Sequence, residues 1–208
     1  MSLSFQDIYN IISPLIGGGL TATIGHLLKV RRMNMLKKLH DPIVESVKNN
    51  VLVEGKLNQI LTEYEADRVW LIQFHNGGNF YPTGKSIPKF SMFYETIKPG
   101  AESLKDFFQN IPVSIFGRCI NYLYDNDTLL IQDYINVNEE LHEVRYLSDD
   151  SDAKSSYAFA IKTIDNKFVG VLGIDYVKKK KDIDTLKIKD IQIEAVSLGG
   201  SLLSQTHD

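Results

Sequence analysis

A chain of 208 residues that is 43% hydrophobic, 10% aromatic and 24% charged has material for one ordinary core plus extra elements, and is too short for two full domains. Its aromatic content and modest net charge of -3 exclude intrinsic disorder and give no global attraction to nucleic acid. A single cysteine, Cys119, cannot close an intrachain disulfide, and no Cys/His cluster has metal-ligand spacing. The lone thiol fits a reducing compartment or simple indifference to redox.

The first predicted element runs from Ile8 to Leu28 and holds no Asp, Glu, Lys or Arg. A helix of that length spans about 30 Å, the thickness of a bilayer core. Asp7 precedes it; Lys29, Arg31, Arg32, Lys37 and Lys38 follow without an intervening acid, so the rest of the chain carries -7. That polarity predicts an uncleaved membrane anchor with the main domain on the cytoplasmic side. Ser13, Gly17, Thr21 and Gly25 recur every fourth position, a small-residue face that suits helix–helix association in a homo-oligomer. Burial in a protein assembly and an amphipathic helix lying on a membrane are the other two readings of residues 1–29.

Residues 30–66 read as a connector helix that restarts at Asp41-Pro42, an N-cap followed by proline at the first helical position. Leu36, Ile43, Val47, Leu57, Leu61 and Tyr64 follow a rough seven-residue spacing, with Gly55 as a break point. The later half is expected to pack on its own domain and the earlier half on a partner.

From residue 67 to the end the pattern changes to short apolar runs and period-two alternation. Strands are predicted at Arg68–Phe74 and Lys89–Ile97, separated by a turn at His75-Asn76-Gly77-Gly78. Helices are expected at Ser103–Gln109, Ile115–Tyr124 and Asn138–Leu147, with a short strand at Thr128–Gln132. Ser156–Ile164 and Phe168–Val177 form a predicted hairpin across Asp165-Asn166-Lys167, and a helix over Thr185–Leu203 ends the domain. The strand after the turn is apolar on both faces, as a central strand covered on both sides should be.

This order resembles a GAF domain. The segment Tyr157–Tyr176, YAFAIKTIDNKFVGVLGIDY, with Gly170-Val171-Leu172-Gly173 in its second strand, is similar to the most characteristic stretch of that family, and the final helix is similar to the one that closes such domains. The resemblance implies an α+β fold: a GAF/PAS-like central antiparallel sheet flanked by helices, preceded here by the hydrophobic N-terminal helix and the connector helix.

Candidate ligand-pocket residues are Phe74, His75 and Asn76, which leave a buried strand for a glycine-rich loop, with the aromatics Tyr94, Phe116, Tyr134 and Phe159. Aromatics on strands also serve as plain core, and Asn76-Gly77 also reads as a simple turn. Asn166-Lys167-Phe168 matches the start of a cyclic-nucleotide motif of the family, but no Asp-Glu pair follows, and Asp-Asn-Lys is ordinary turn chemistry. One cysteine cannot run a thiol–disulfide cycle, and Cys119, on a predicted helix, is a poor bilin attachment point. Lys178–Lys181 reads as a solvated loop, and the acidic run Ser148–Asp152 lacks calcium-ligand spacing. No G-x-S-x-G, P-loop or H-E-x-x-H occurs.

The expectation is therefore a non-enzymatic, membrane-associated, oligomeric binding or scaffold module without cofactor or nucleic-acid partner, and with a small-molecule ligand left open. The alternative is a structural component of a larger assembly, such as a virus or phage particle, that uses the domain and the N-terminal helix for protein contacts.

Overall fold

The computed structural model describes residue 6 and residues 25–32, 42–134, 143–144 and 152–203. The chain divides into two compact units, Met1–Glu45 and Ser46–Asp208. In the first, residues 25–32 are helical, and a Cβ on Gly25 would meet nothing within 4 Å among the described residues. The rest of the predicted anchor, with Ser13, Gly17 and Thr21, lies outside the described residues. Among the described residues no helix is long and apolar enough to cross a membrane.

The elements in chain order are α1 (Pro42–Glu63), β1 (Arg68–Asn79), β2 (Ser86–Ile97), β3 (Ile111–Pro112), a 3₁₀ turn (Val113–Phe116), α2 (Gly117–Asn126), β4 (Thr128–Ile131), β5 (Ser155–Lys162), β6 (Phe168–Tyr176) and α3 (Thr185–Leu203). The strands form one six-stranded sheet in the order β3-β2-β1-β6-β5-β4, and every pair is antiparallel. The expected hairpin is present: Tyr157 faces Ile174 and Phe159 faces Leu172 across β5 and β6. Its turn is closed by bonds from Thr163 N to the Lys167 carbonyl and from Asn166 N to the Thr163 carbonyl, with Asn166 at φ 61°, a conformation asparagine tolerates.

One face of the sheet is covered by the later part of α1 and by α3. Val53, Leu57, Ile60, Leu61 and Tyr64 of α1 and Ile191, Ala195, Leu198 and Leu202 of α3 join Leu71, Tyr157, Phe159, Ile161, Leu172 and Ile174 in one buried cluster. The i, i+3, i+4 spacing on both helices is what makes that apolar stripe. Gly55 does not break α1: roughly 1 kcal/mol of lost helix propensity is outweighed by burial of Val53, Leu57 and Ile60, each at most 1% exposed. The end of α1 is tied down by the Tyr64 carbonyl, which accepts from Tyr176 Oη at 2.8 Å and Lys181 Nζ at 2.9 Å.

Two further expectations are corrected. His75-Asn76-Gly77-Gly78 is not the hairpin turn: β1 continues to Asn79, and the chain reverses over Phe80–Lys85. The glycines instead serve a bulge, with Gly78 at φ 101° and Gly77 crossed so closely by the Lys89 stem that a Cβ would lie 2.4 Å from Lys89 Cδ. Ser103–Gln109 is not a helix. It is a strap on the β2 edge: the Leu104 N–H donates to Glu95 Oε1 at 2.8 Å and the Met92 N–H to the Phe108 carbonyl at 2.8 Å. The two-residue strand β3, paired at Lys89–Pro112 and Phe90–Ile111, has no sequence signature. The predicted helix Asn138–Leu147 lies outside the described residues except for Glu143 and Val144, which are helical.

Candidate functional site

The second face of the sheet encloses the candidate site. A strand alternates its side chains between faces, so Val171, Gly173 and Asp175 of β6 point opposite to Leu172 and Ile174. Ser156 and Ala158 of β5 likewise oppose Tyr157 and Phe159. Ser156, Ala158 and Val171 leave room, and a cavity of about 100 Å³ remains above them. Its floor is Trp70 and Ile72 of β1, Phe90 and Met92 of β2, Leu129 and Ile131 of β4, Ser156, Ala158, Val171 and Asp175. Its roof is Leu104 and Phe108 of the strap, Phe116, Cys119, Ile120 and Leu123 around α2, and Tyr134 and Val144. Cys119 and Leu123 are one helical turn apart and are the buried side of α2.

At one end the apolar lining gives way to a buried polar group. The Asp175 carboxylate accepts from Arg68 Nε at 2.8 Å and Trp70 Nε1 at 3.0 Å on Oδ2, and from Ser156 Oγ on Oδ1. Arg68 is fully buried and also donates Nη1 to the Glu102 carbonyl at 2.8 Å. A charge in this setting survives only with a partner and hydrogen bonds, and both are present: among the described residues no buried side-chain nitrogen or oxygen lacks a bond. Gly173 makes the arrangement possible, since a Cβ there would lie 2.0 Å from the Trp70 ring. Trp70 therefore lies across β6 and reaches Asp175.

Two ionisable groups on the cavity wall are shifted toward their neutral forms. Burial pushes the Cys119 thiol up to about 12, with the nearby Glu143 carboxylate adding to the effect. A thiol so shifted is not a thiolate near neutral pH and is a poor nucleophile. Burial also raises the Tyr134 phenol, helped by Asp175 and opposed by its Ser156 hydrogen bond and by Arg68. Among the described residues no three His, Cys, Asp or Glu side chains are grouped to hold a metal ion.

Of the seven sequence-derived pocket candidates, Phe116 and Tyr134 line this cavity. Phe74 packs edge-on against Phe168, ring centres 4.9 Å apart, beside the same cluster. His75 pairs with Ser91 through Nε2 at 2.9 Å, and Asn76 holds the arm through Gly78 N and Ser86 Oγ, both at 3.0 Å from its Oδ1. Tyr94 and Phe159 lie in the core beneath the helices, on the opposite face. For Tyr94 the cause is a bulge: Leu71 pairs with Tyr94 but Ile72 with Met92, so the extra residue, Phe93, switches the face on which β2 side chains emerge. Arg68, Trp70, Ser156 and Asp175 were not among the candidates. The signal that points to them is Asp175 itself, an acid within a strand otherwise apolar on both faces. The lysine loop after β6 is pinned by ion pairs, Lys180 to Asp133 and Lys181 to Glu65.

No family model matches the sequence, and no curated protein matches it. Solved structures do. A far-red cyanobacteriochrome photoreceptor superposes with a TM-score of 0.63 at 13% identity, covering 86% of this chain and all of that one. The phycocyanobilin-bound GAF domain of a cyanobacterial phytochrome gives a TM-score of 0.57 at 15% identity over the whole of both chains. The PixJ GAF domain of Thermosynechococcus elongatus, in its blue-light absorbing form, gives 0.56 at 14% identity over 77% of this chain and 87% of that one. The protein therefore has the α+β GAF fold, a six-stranded antiparallel sheet with flanking helices. At this identity the likeness extends to the fold alone.

Proposed function

We propose that this protein is a non-enzymatic binding module whose ligand is a compact, mainly apolar small molecule held between the sheet and α2. The observation that carries this is the cavity: it is lined by Trp70, Phe90, Phe108 and Phe116, is partly open to solvent, and carries one polar end at Asp175, Ser156 and Tyr134. Apolar cavities near this size accept ligands as small as benzene, and an apolar pocket with few convergent polar groups is the default binding-site geometry.

The fold neighbours that carry a bilin suggest a larger ligand, and the residues here do not fit one. Sites for drug-sized ligands enclose about 300–1,000 Å³, against about 100 Å³, and the only cysteine has its thiol held neutral. A ligand of one or two rings with a hydrogen-bond donor directed at Asp175 matches the wall chemistry instead. The cavity thus favours binding over a purely structural role.

The run of 21 uncharged residues ahead of a basic block supports a further part of the proposal. It would tether the module, as a homo-oligomer, to the cytoplasmic face of a membrane.

The test is thermal unfolding and saturation-transfer NMR with toluene and indole. Wild-type protein is expected to rise in Tm with ligand, by mass action on the folded state, with indole exceeding toluene. Ala158→Leu, which fills the floor, should abolish both shifts. Equal Tm curves with and without either compound for the wild type would rule the binding reading out and leave the structural one.

A further inference from the structure

Beyond His75 the sheet narrows to two strands, because β3 reaches β2 only at Lys89 and Phe90, opposite His75 and Phe74. β1 pairs with β6 only over Arg68–Gln73, whereas its pairing with β2 continues to Asn79–Ser86. The residues of β1 past Gln73 rise about 3.3 Å each, so the arm reaches roughly 20 Å past the end of the β1–β6 ladder. At its end Phe80 is 52% and Tyr81 97% exposed, followed by Pro82 and by the exposed Lys85. Two aromatic side chains on the tip of a narrow arm contribute nothing to a core.

The charge of this arm is one-sided. From Val69 to Tyr94 there is no Asp or Glu, although the chain holds 26 of them, and Lys85 and Lys89 lie on the return from the tip. In a protein of net charge -3 the arm is thus a locally cationic projection. The backbone of the tip is also bonded to itself. The Phe80 N–H donates to the Lys85 carbonyl and the Gly84 N–H to the Phe80 carbonyl, each at 2.8 Å. Pro82 has no N–H to lose. Dehydrating a turn is unfavourable when its amides are unpaired, and this turn removes much of that penalty.

Exposed aromatic rings, adjacent lysines, no acids and an internally bonded turn are the chemistry that the headgroup region of an anionic membrane takes up. We propose that Phe80–Lys85, the tip of the β1–β2 arm, docks on an anionic lipid surface, with Phe80 and Tyr81 entering the headgroup layer and Lys85 facing the lipid charges. This site shares no residue with the cavity lining or with residues 8–28, and it stands whether or not either of those readings does.

The experiment uses the full chain carrying Tyr81→Trp, a conservative change at a nearly fully exposed position, on phosphatidylcholine vesicles with and without phosphatidylserine. Tip fluorescence is read as the difference from wild type, whose only tryptophan is Trp70. Quenching of the introduced indole by bromine-labelled lipid and a blue shift are expected on the anionic vesicles, both falling away as salt is raised. Lys85→Ala in that background should weaken the contact about fivefold. A tip indole that stays unquenched while the chain is vesicle-bound overturns the proposal, even if residues 8–28 anchor the protein, and would leave the tip for a protein partner. Quenching that is equal on neutral vesicles and indifferent to Lys85→Ala overturns it as well.

Discussion

The two faces of the sheet use the same strands for opposite ends. Beneath α1 and α3 the alternating positions are Tyr157, Phe159 and Ile161 on β5 and Leu172 and Ile174 on β6, all fully buried and interlocked with helical side chains. One residue along, the other face presents Ser156, Ala158 and Val171, and the space they leave is the cavity. A close-packed interior normally has few voids larger than a water molecule. Here one face behaves in that way and the other does not. The filled face supplies the stability that lets the hollow face, with its buried ion pair, be kept.

That contrast can be broken on the filled side with the largest effect. Phe159→Ala removes a ring that is 0% exposed and is expected to cost about 3–5 kcal/mol, measured as a lowered urea midpoint. A loss under about 1 kcal/mol, well below the usual range for a buried ring, would mean that the helix-covered face is as loosely packed as the other.

On the hollow side, Gly173→Ala places a Cβ within 2.0 Å of the Trp70 ring. Displacement of Trp70 is expected to cost about 1–3 kcal/mol and to change the tryptophan emission spectrum, since Trp70 loses its bond to Asp175. An unchanged spectrum would show that Trp70 does not depend on the glycine.

The smallest effect concerns pH. Cys119 and Tyr134 on the cavity wall, and Tyr176 beneath the helices, are all raised by burial. Each is neutral in the folded chain at a pH where the unfolded chain has begun to ionise. Their contribution is whole below their unfolded values, near pH 9 for the thiol, and shrinks as pH rises beyond that. Stability should therefore decline from about pH 9 upward, and Cys119→Ser should flatten the first part of the decline. At about pH 8 the native thiol should react with Ellman's reagent far more slowly than the unfolded one, because burial holds it in the neutral form.

How much of this was legible before folding depends on the range of the interaction concerned. The β5–β6 hairpin is marked by a short Asp-Asn-Lys turn between two apolar runs, and the α3 helix by its stripe. Both were readable, as was the α+β order. The face on which Tyr94 emerges was not, because it turns on one bulged residue, Phe93, and a single insertion reverses period two for every position beyond it. The strap over Ser103–Gln109 shows the same limit: its composition suits a helix, and the Glu95 carboxylate and the β2 backbone override that preference.

Local periodicity and turn chemistry decided which segments become strands and helices, since those forces act between near neighbours in the chain. The cavity, the Arg68–Asp175 pair that joins residues 107 positions apart, and the division of side chains between a filled and an open face were settled only when the strands took their register. Burial and charge pairing belong to residues distant in the chain, and they acquire values when tertiary contacts form.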